Sequence, residues 1–222
     1  MLTLFFTGCI TRNKQHRNSL VNDSGIIYPN IDDKFETFNI SLFDKRDMKI
    51  IIKNHDTIYC HYDTLYYDEV DKRGNELRDF HRYKDEISGY DYSSNPIFGI
   101  YKEFYPNGNI KLKGLYCCFG FNIGQWFNYD NNGKLIKTIN NDLGYTFNTD
   151  SLINFCKKNA IPLKKVEWGF GTYIHKRVSK KGKLVWVIQY PDFNSQQYIT
   201  LSLDAKKGKV LNTTYSVFPI GE

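Results

Sequence analysis

The chain has 222 residues, enough for one large domain or two small ones. Hydrophobic residues make up only 41%, yet aromatics reach 16% and alanine occurs twice, so the core must be built from Tyr, Phe and Trp, which favour pleated surfaces over helices. The net charge of +6 is dispersed in pairs such as Lys157-Lys158, Lys164-Lys165, Lys180-Lys181 and Lys206-Lys207 beside expected turns, which argues against a nucleic-acid binder with one basic face and leaves room for attraction to anionic lipid.

At the N-terminus, Leu2 to Ile10 read LTLFFTGCI, too short an apolar run to span a bilayer. Leu4-Phe5-Phe6-Thr7-Gly8-Cys9 resembles a bacterial lipobox, with Thr7 and Gly8 at the small positions. The resemblance implies that residues 1–8 are part of a signal peptide and that Cys9 is acylated. Residues 11–24 are polar without apolar period, so residues 9–25 are expected to be a lipidated Cys and a flexible tether behind a membrane anchor. The expected location is the cell envelope, on the periplasmic side or the cell surface.

Residues 26–95 are β-rich and match no nameable pattern. Strands are expected at Met48 to Lys53 and Thr57 to Tyr67.

Residues 96–142 hold an internal repeat. GIYKEFYPNGNIKLKGLY begins at Gly99 and GQWFNYDNNGKLIKTI at Gly124, a period of 25. Gly99 matches Gly124, Tyr101 matches Trp126, Asn107-Gly108 matches Asn132-Gly133, and Ile110 matches Leu135. Asn-Gly between strand-like runs predicts a type I′ hairpin turn. On the incoming strand Tyr101, Glu103 and Tyr105 share one face, and Ile100, Lys102 and Phe104 the other. After the turn, alternation predicts Ile110, Leu112 and Tyr116 facing a core while Lys111 and Lys113 meet water. The units resemble the MORN-variant repeat family, which includes YwqK-type antitoxins, and a weaker third unit runs from Tyr66-Tyr67 to Leu77. The resemblance implies a β-hairpin meander that binds a partner. The candidate binding surface is Tyr101, Tyr105, Trp126 and Tyr129, although core packing is the favoured reading for Tyr101 and Trp126.

Residues 143–222 open with a helix, Thr149 to Lys158, capped by Thr149 or Asp150 and stopped before Pro162. Four strand-like runs come after it: Val166, Trp168, Phe170 and Ile174; Leu184 to Tyr190; Ile199, Leu201 and Leu203; and Val210 to Phe218. Lys181-Gly182 and Lys207-Gly208 mark turns. Trp186-Val187-Ile188 and Asp204-Ala205 to Gly208-Lys209-Val210 resemble the PepSY-like pattern, which implies a small binding or regulatory domain outside the cytoplasm. The fold class expected is α+β, mostly antiparallel β.

Chemistry-bearing motifs are absent from the sequence. His16, His55, His61, His81 and His175 have no partner at metal-ligand spacing, and the five cysteines form no CxxC. Cys117 and Cys118 should point to opposite faces of a strand. Asp68, Glu69 and Asp71 lack calcium-loop spacing. The expectation is a non-enzymatic, membrane-anchored envelope lipoprotein without cofactor or metal that binds a protein or envelope component. The alternative is an antitoxin or immunity protein that neutralises a toxin by direct binding.

Overall fold

Nine strands, each paired antiparallel with the next in the chain, form one meander in the computed structural model, which describes residues 26–218 apart from 45–46, 54–55, 63–64, 85 and 166–170. They are β1 (Asp47–Lys53), β2 (Asp56–Tyr62), β3 (Tyr66–Asp71), β4 (Glu76–Tyr83), β5 (Glu86–Asp91), β6 (Phe98–Phe104), β7 (Ile110–Cys117), β8 (Phe121–Tyr129) and β9 (Leu135–Asn140). One helix, α1 (Thr149–Lys158), leads to a second antiparallel sheet of β10 (Tyr173–Val178), β11 (Leu184–Asp192), β12 (Gln197–Asp204) and β13 (Val210–Val217). The fold is therefore α+β and mostly antiparallel β. The region without a nameable pattern before residue 96 is not a separate sheet: β1–β5 continue directly into the repeat strands. The single run read from Thr57 to Tyr67 is divided between β2 and β3. Cys9, the tether and the alternation Val166, Trp168, Phe170 lie outside the described residues.

The hairpin turns differ from the type I′ expectation. Gly108 and Gly133 each have φ of 84°, but Asn107 and Asn132 are not at positive φ. Gly108 N–H donates to the Tyr105 carbonyl at 2.8 Å, and Tyr105 N–H donates to the Asn109 carbonyl at 2.8 Å. This is a three-residue loop that ends in a left-handed glycine and sets a bulge in the strand. Asp130–Lys134, Asp71–Asn75 and Ser179–Lys183 repeat the same bond pair, with Gly133, Gly74 and Gly182 left-handed. The aspartates explain the choice. Asp71 Oδ1 accepts from the Arg73 and Asn75 amides, and Asp130 Oδ1 from those of Asn132 and Lys134, all at 2.8–2.9 Å. A carboxylate that satisfies two turn amides holds the first loop residue out of the left-handed region. The weak upstream unit thus closes on the same turn as the two clear ones.

The helix spans the expected Thr149–Lys158, but its cap is neither Thr149 nor Asp150. Asn148 is its N-cap: the backbone is extended there, and the side-chain oxygen accepts from Ser151 N–H at 2.9 Å. Leu152, Ile153 and Cys156 face the core.

One face of the large sheet is covered twice. At one end, α1 and the second sheet pack on Phe98, Cys117, Phe121 and Ile123. Trp186 is fully buried at this junction, edge-on to Phe121 and Tyr145 at 5.1 and 5.0 Å. Its Nε1 donates to the Phe147 carbonyl at 2.8 Å. Lys176 Nζ lies 5.2–5.8 Å from the rings of Phe121, Tyr145 and Trp186 and donates to the carbonyls of Asn122 and Asn141 and to Asp142.

The remainder of that face is covered by residues 26–44, a mostly irregular strap that ends in a 3-10 turn, Ile40–Asp44. Tyr28 packs on Phe98 at 4.8 Å and donates to Asp150 at 2.6 Å. Further along, Phe38 N–H donates to the Gly108 carbonyl and Ile110 N–H to the Glu36 carbonyl. Phe38 and Phe43 then close over Cys60, Tyr67, Phe80, Phe104 and Ile110. Between these anchors Glu36 accepts from Lys102 at 2.5 Å and from Lys113 at 2.6 Å, and Lys113 also donates to the Lys34 carbonyl at 2.6 Å. Lys113 is only 1% exposed. The same face carries a second ionic group, in which Arg78 pairs with Glu69 and Asp91, all at 3.0 Å, and Tyr67 donates to Glu69.

Lys113 overturns the alternation expected after the turn, which places it in water and Ile110, Leu112 and Tyr116 inside. The register shift between Glu103 and Phe104 interrupts the period of two, so Ile110 shares the covered face with Lys113, while Leu112 and Tyr116 pair with Glu103 and Gly99 on the opposite one.

Candidate functional site

The face of the large sheet opposite the strap is where the repeats place their conspicuous rings. Tyr90 of β5 stands opposite Tyr101 of β6, Tyr101 opposite Gly114 of β7, and Gly114 opposite Trp126 of β8. Gly114 is the key to the arrangement. A Cβ built there would lie 2.1–2.2 Å from the Trp126 indole. Only glycine leaves the gap in which Trp126 can lie down and stack on Tyr101, with centroids 5.6 Å apart and planes 17° apart. Trp126 Nε1 is satisfied by the Leu115 carbonyl at 3.0 Å.

Tyr90 extends the strip. It contacts Tyr101 at 5.3 Å and Tyr116 at 4.9 Å, and stacks on Tyr92 at 5.8 Å. Gly99 has the same role for Tyr92 that Gly114 has for Trp126: its Cβ would meet the Tyr92 ring at 2.6 Å. Polar groups border the rings. His81 pairs with Asp79 at 2.7 Å, and Lys111 bridges Glu86 at 2.8 Å and Glu103 at 2.5 Å. Burial raises the phenol pKa of Tyr90, Tyr101 and Tyr116 above the ordinary value, so all three hydroxyls are neutral at physiological pH. Asp79 is likewise raised, chiefly by burial. The strip can offer stacking surface and neutral phenol hydroxyls to a ligand.

Of the four surface positions that the sequence suggests, Tyr101 and Trp126 meet on this face, with Trp126 7% exposed and Tyr101 half-buried. Tyr105 sits at the hairpin turn, where its hydroxyl donates to the Tyr129 carbonyl at 2.9 Å. Tyr129 is corrected: it lies in the strap-covered core at 1% exposure and cannot be a binding residue. The reason is plain alternation along β8, which puts Tyr129 on the covered face with Phe127 and opposite to Trp126; the register shift beside it leaves its extra residue, Ile136, on β9. Tyr90, Tyr92 and Tyr116 carry no such mark in the sequence. The glycines opposite the rings are the signal that points to them, but it becomes readable only once the strand register is known.

Cys117 and Cys156 pack in the core. Burial pushes Cys156 up to about 12 and Cys117 well above its ordinary value, which makes both poor nucleophiles. Cys117 ends β7 fully buried, and Cys118 comes next in the turn, half-buried. Among the described residues, no three His, Cys, Asp or Glu side chains gather where they could hold a metal ion, and no helix is long and apolar enough to cross a membrane.

No protein-family model matches the chain, and no curated protein does. A solved structure that matches is that of a protein of unknown function from Bacteroides caccae, at 7% sequence identity and a TM-score of 0.21, covering 77% of this chain. This chain spans 62% of the length of that protein. At such a score the likeness carries no argument about fold or function.

Proposed function

We propose that this chain is a non-enzymatic envelope lipoprotein that acts as a binding module. Acylated Cys9 holds it to the membrane, residues 10–25 are the tether, and the β-rich body presents the Tyr90–Tyr101–Tyr116–Trp126 strip to a protein or other envelope component. The observation that carries the reading is the asymmetry of the large sheet. One face is sealed by strap, helix and second sheet, while the other gathers half-buried aromatics towards solvent. Rings that stack and donate hydrogen bonds are typical anchors of binding surfaces.

The test uses the full chain in a bacterial host, beside Cys9→Ser. The native protein is expected to float with membranes and to carry acyl mass, and the variant to do neither. Each buried CH₂ of an acyl chain contributes roughly 0.8 kcal/mol, so the loss of anchoring should be complete. A Tyr101→Ala/Tyr116→Ala variant should keep its membrane attachment and lose envelope components that cross-link to the native form. If native and Cys9→Ser proteins are both soluble and unprocessed, the anchor is refuted and the antitoxin reading takes its place. If the tyrosine variant cross-links like the native form, the aromatic strip is not the binding surface.

A further inference from the structure

Among the described residues, the two sheets have four edges: β1, β9, β10 and β13. An edge strand exposes a row of unpaired N–H and C=O groups, and natural sequences guard such rows with charge, proline or distortion. Three of the four edges are guarded. β1 carries Asp47, Lys49 and Lys53; β9 carries Lys137; β10 carries the exposed Arg177. β13 reads VLNTTYSV, with no charged residue, no proline and no glycine. All eight of its residues are exposed. Its pairing with β12 is regular from Asn212 to Val217, and the single register shift lies at the other end, between Ser202 and Leu203.

We propose that β13 is a self-association edge, through which two copies of this chain pair antiparallel and join their four-stranded sheets into one. A two-fold axis normal to the sheet keeps each side chain on its own face only if the axis passes through a residue pair. At the middle of β13 that residue is Thr213 or Thr214, so in either register a threonine meets its own counterpart. Thr–Thr pairs are favourable across strands, and every flanking pair within the strand is uncharged. The same operation on β9 would bring Lys137 towards its copy, and on β10 Arg177 towards its own, at a like-charge cost. A second copy is thus the partner that this neutral edge fits and the other three edges reject. The side chains beside the edge agree. Tyr215 and Val217 are 64% and 69% exposed. Tyr215 pairs with Ile199 and Thr213 with Leu201, which places them on the face that packs against α1, beyond the cover of the helix. Pairing would bury them against the same side chains of the other copy.

The experiment is sedimentation equilibrium on the full chain carrying Cys9→Ser, so that neither acyl group nor an intermolecular disulfide at that position contributes. Concentrations run from about 1 to about 500 μM, the range suited to an interface of this small size. The mass is expected to rise from one copy to two. Thr213→Lys/Thr214→Lys, which sets lysine against lysine in either register, should stay at one copy throughout, with an unchanged circular dichroism spectrum. Ile136→Lys on β9 should dimerise like the parent chain. If the double variant loses its native spectrum, Tyr215→Lys provides the same reading from one exposed position. A parent chain that remains monomeric at the highest concentration overturns the proposal. So does a folded β13 variant that dimerises as the parent does.

Discussion

Replacing Lys113 by alanine is expected to destabilise the protein by about 1 to 3 kcal/mol, the usual consequence of removing a charged hydrogen-bond donor from its acceptors. The ammonium is 1% exposed and makes short bonds to the Lys34 carbonyl and to Glu36. Without it Lys34 loses a donor, and Glu36 keeps Lys102 alone. Lys113→Met separates charge from packing. Methionine replaces most of the stem but none of the bonds, so a loss near that of alanine would assign the effect to the ammonium. Limited proteolysis should show residues 26–44 cut sooner in both variants. The pH dependence has a definite sign. Burial raises the Glu36 carboxyl, but hydrogen bonds from Lys102 and Lys113 outweigh it and leave the group below its ordinary value. A carboxyl lowered by folding contributes stability above its unfolded pKa, near 4, and loses it as pH falls through the folded value. Lys113→Ala should flatten that acid limb. Urea unfolding between neutral pH and the acid range checks both claims, and a variant within about 0.5 kcal/mol of the parent would refute the clamp.

Trp186→Ala should cost about 3 to 5 kcal/mol, as expected for deletion of a buried tryptophan. The residue fills the junction of the two sheets, and its removal takes away two edge-on ring contacts. It also leaves the Phe147 carbonyl without its donor and Lys176 without one of its three rings. Trp186→Phe keeps an aromatic body but not the N–H, so about 1 to 3 kcal/mol should be lost, the cost of an unsatisfied buried acceptor. Equal losses in the two variants would mean that the hydrogen bond, not ring volume, dominates. Guanidinium denaturation of the full chain gives both numbers.

Much of this fold is legible in the sequence because its signals are local. Asn107-Gly108 and Asn132-Gly133 announce two hairpins, Thr149 to Lys158 fits a helix between Asn148 and Pro162, and Lys181-Gly182 marks the turn before β11. The features that escape depend on residues far apart in the chain. Lys113 resembles a solvated strand lysine until Glu36 and the Lys34 carbonyl, 77 and 79 positions away, supply its acceptors. Tyr129 resembles a surface aromatic until the strap, from the far end of the meander, covers the face it shares with Phe127. Bulges leave little trace in a hydrophobic pattern, yet each exchanges the faces of the residues beyond it. The aromatic strip is half visible. Tyr101 and Trp126 stand out by repeat position, whereas Tyr90 and Tyr116 require the register that brings them together.

The strap has a consequence for the order of events during synthesis. Every strand of the large sheet pairs with its immediate successor, so the meander closes only short loops and can zip from any hairpin. The strap has no such neighbour. Its polar contacts with β6 and β7 span 66 to 79 residues, and its carbonyls and amides pair only after the Gly108 turn exists. The segment that leaves the ribosome well before those strands must therefore wait for them to complete its cover: Phe38 and Phe43 can meet Tyr67 and Phe80 earlier, but the Glu36 ion pairs and the backbone bonds to the Gly108 turn cannot form. Chaperone demand in this protein should be concentrated on that interval, and should end when the hairpin of β6 and β7 gives the strap somewhere to dock.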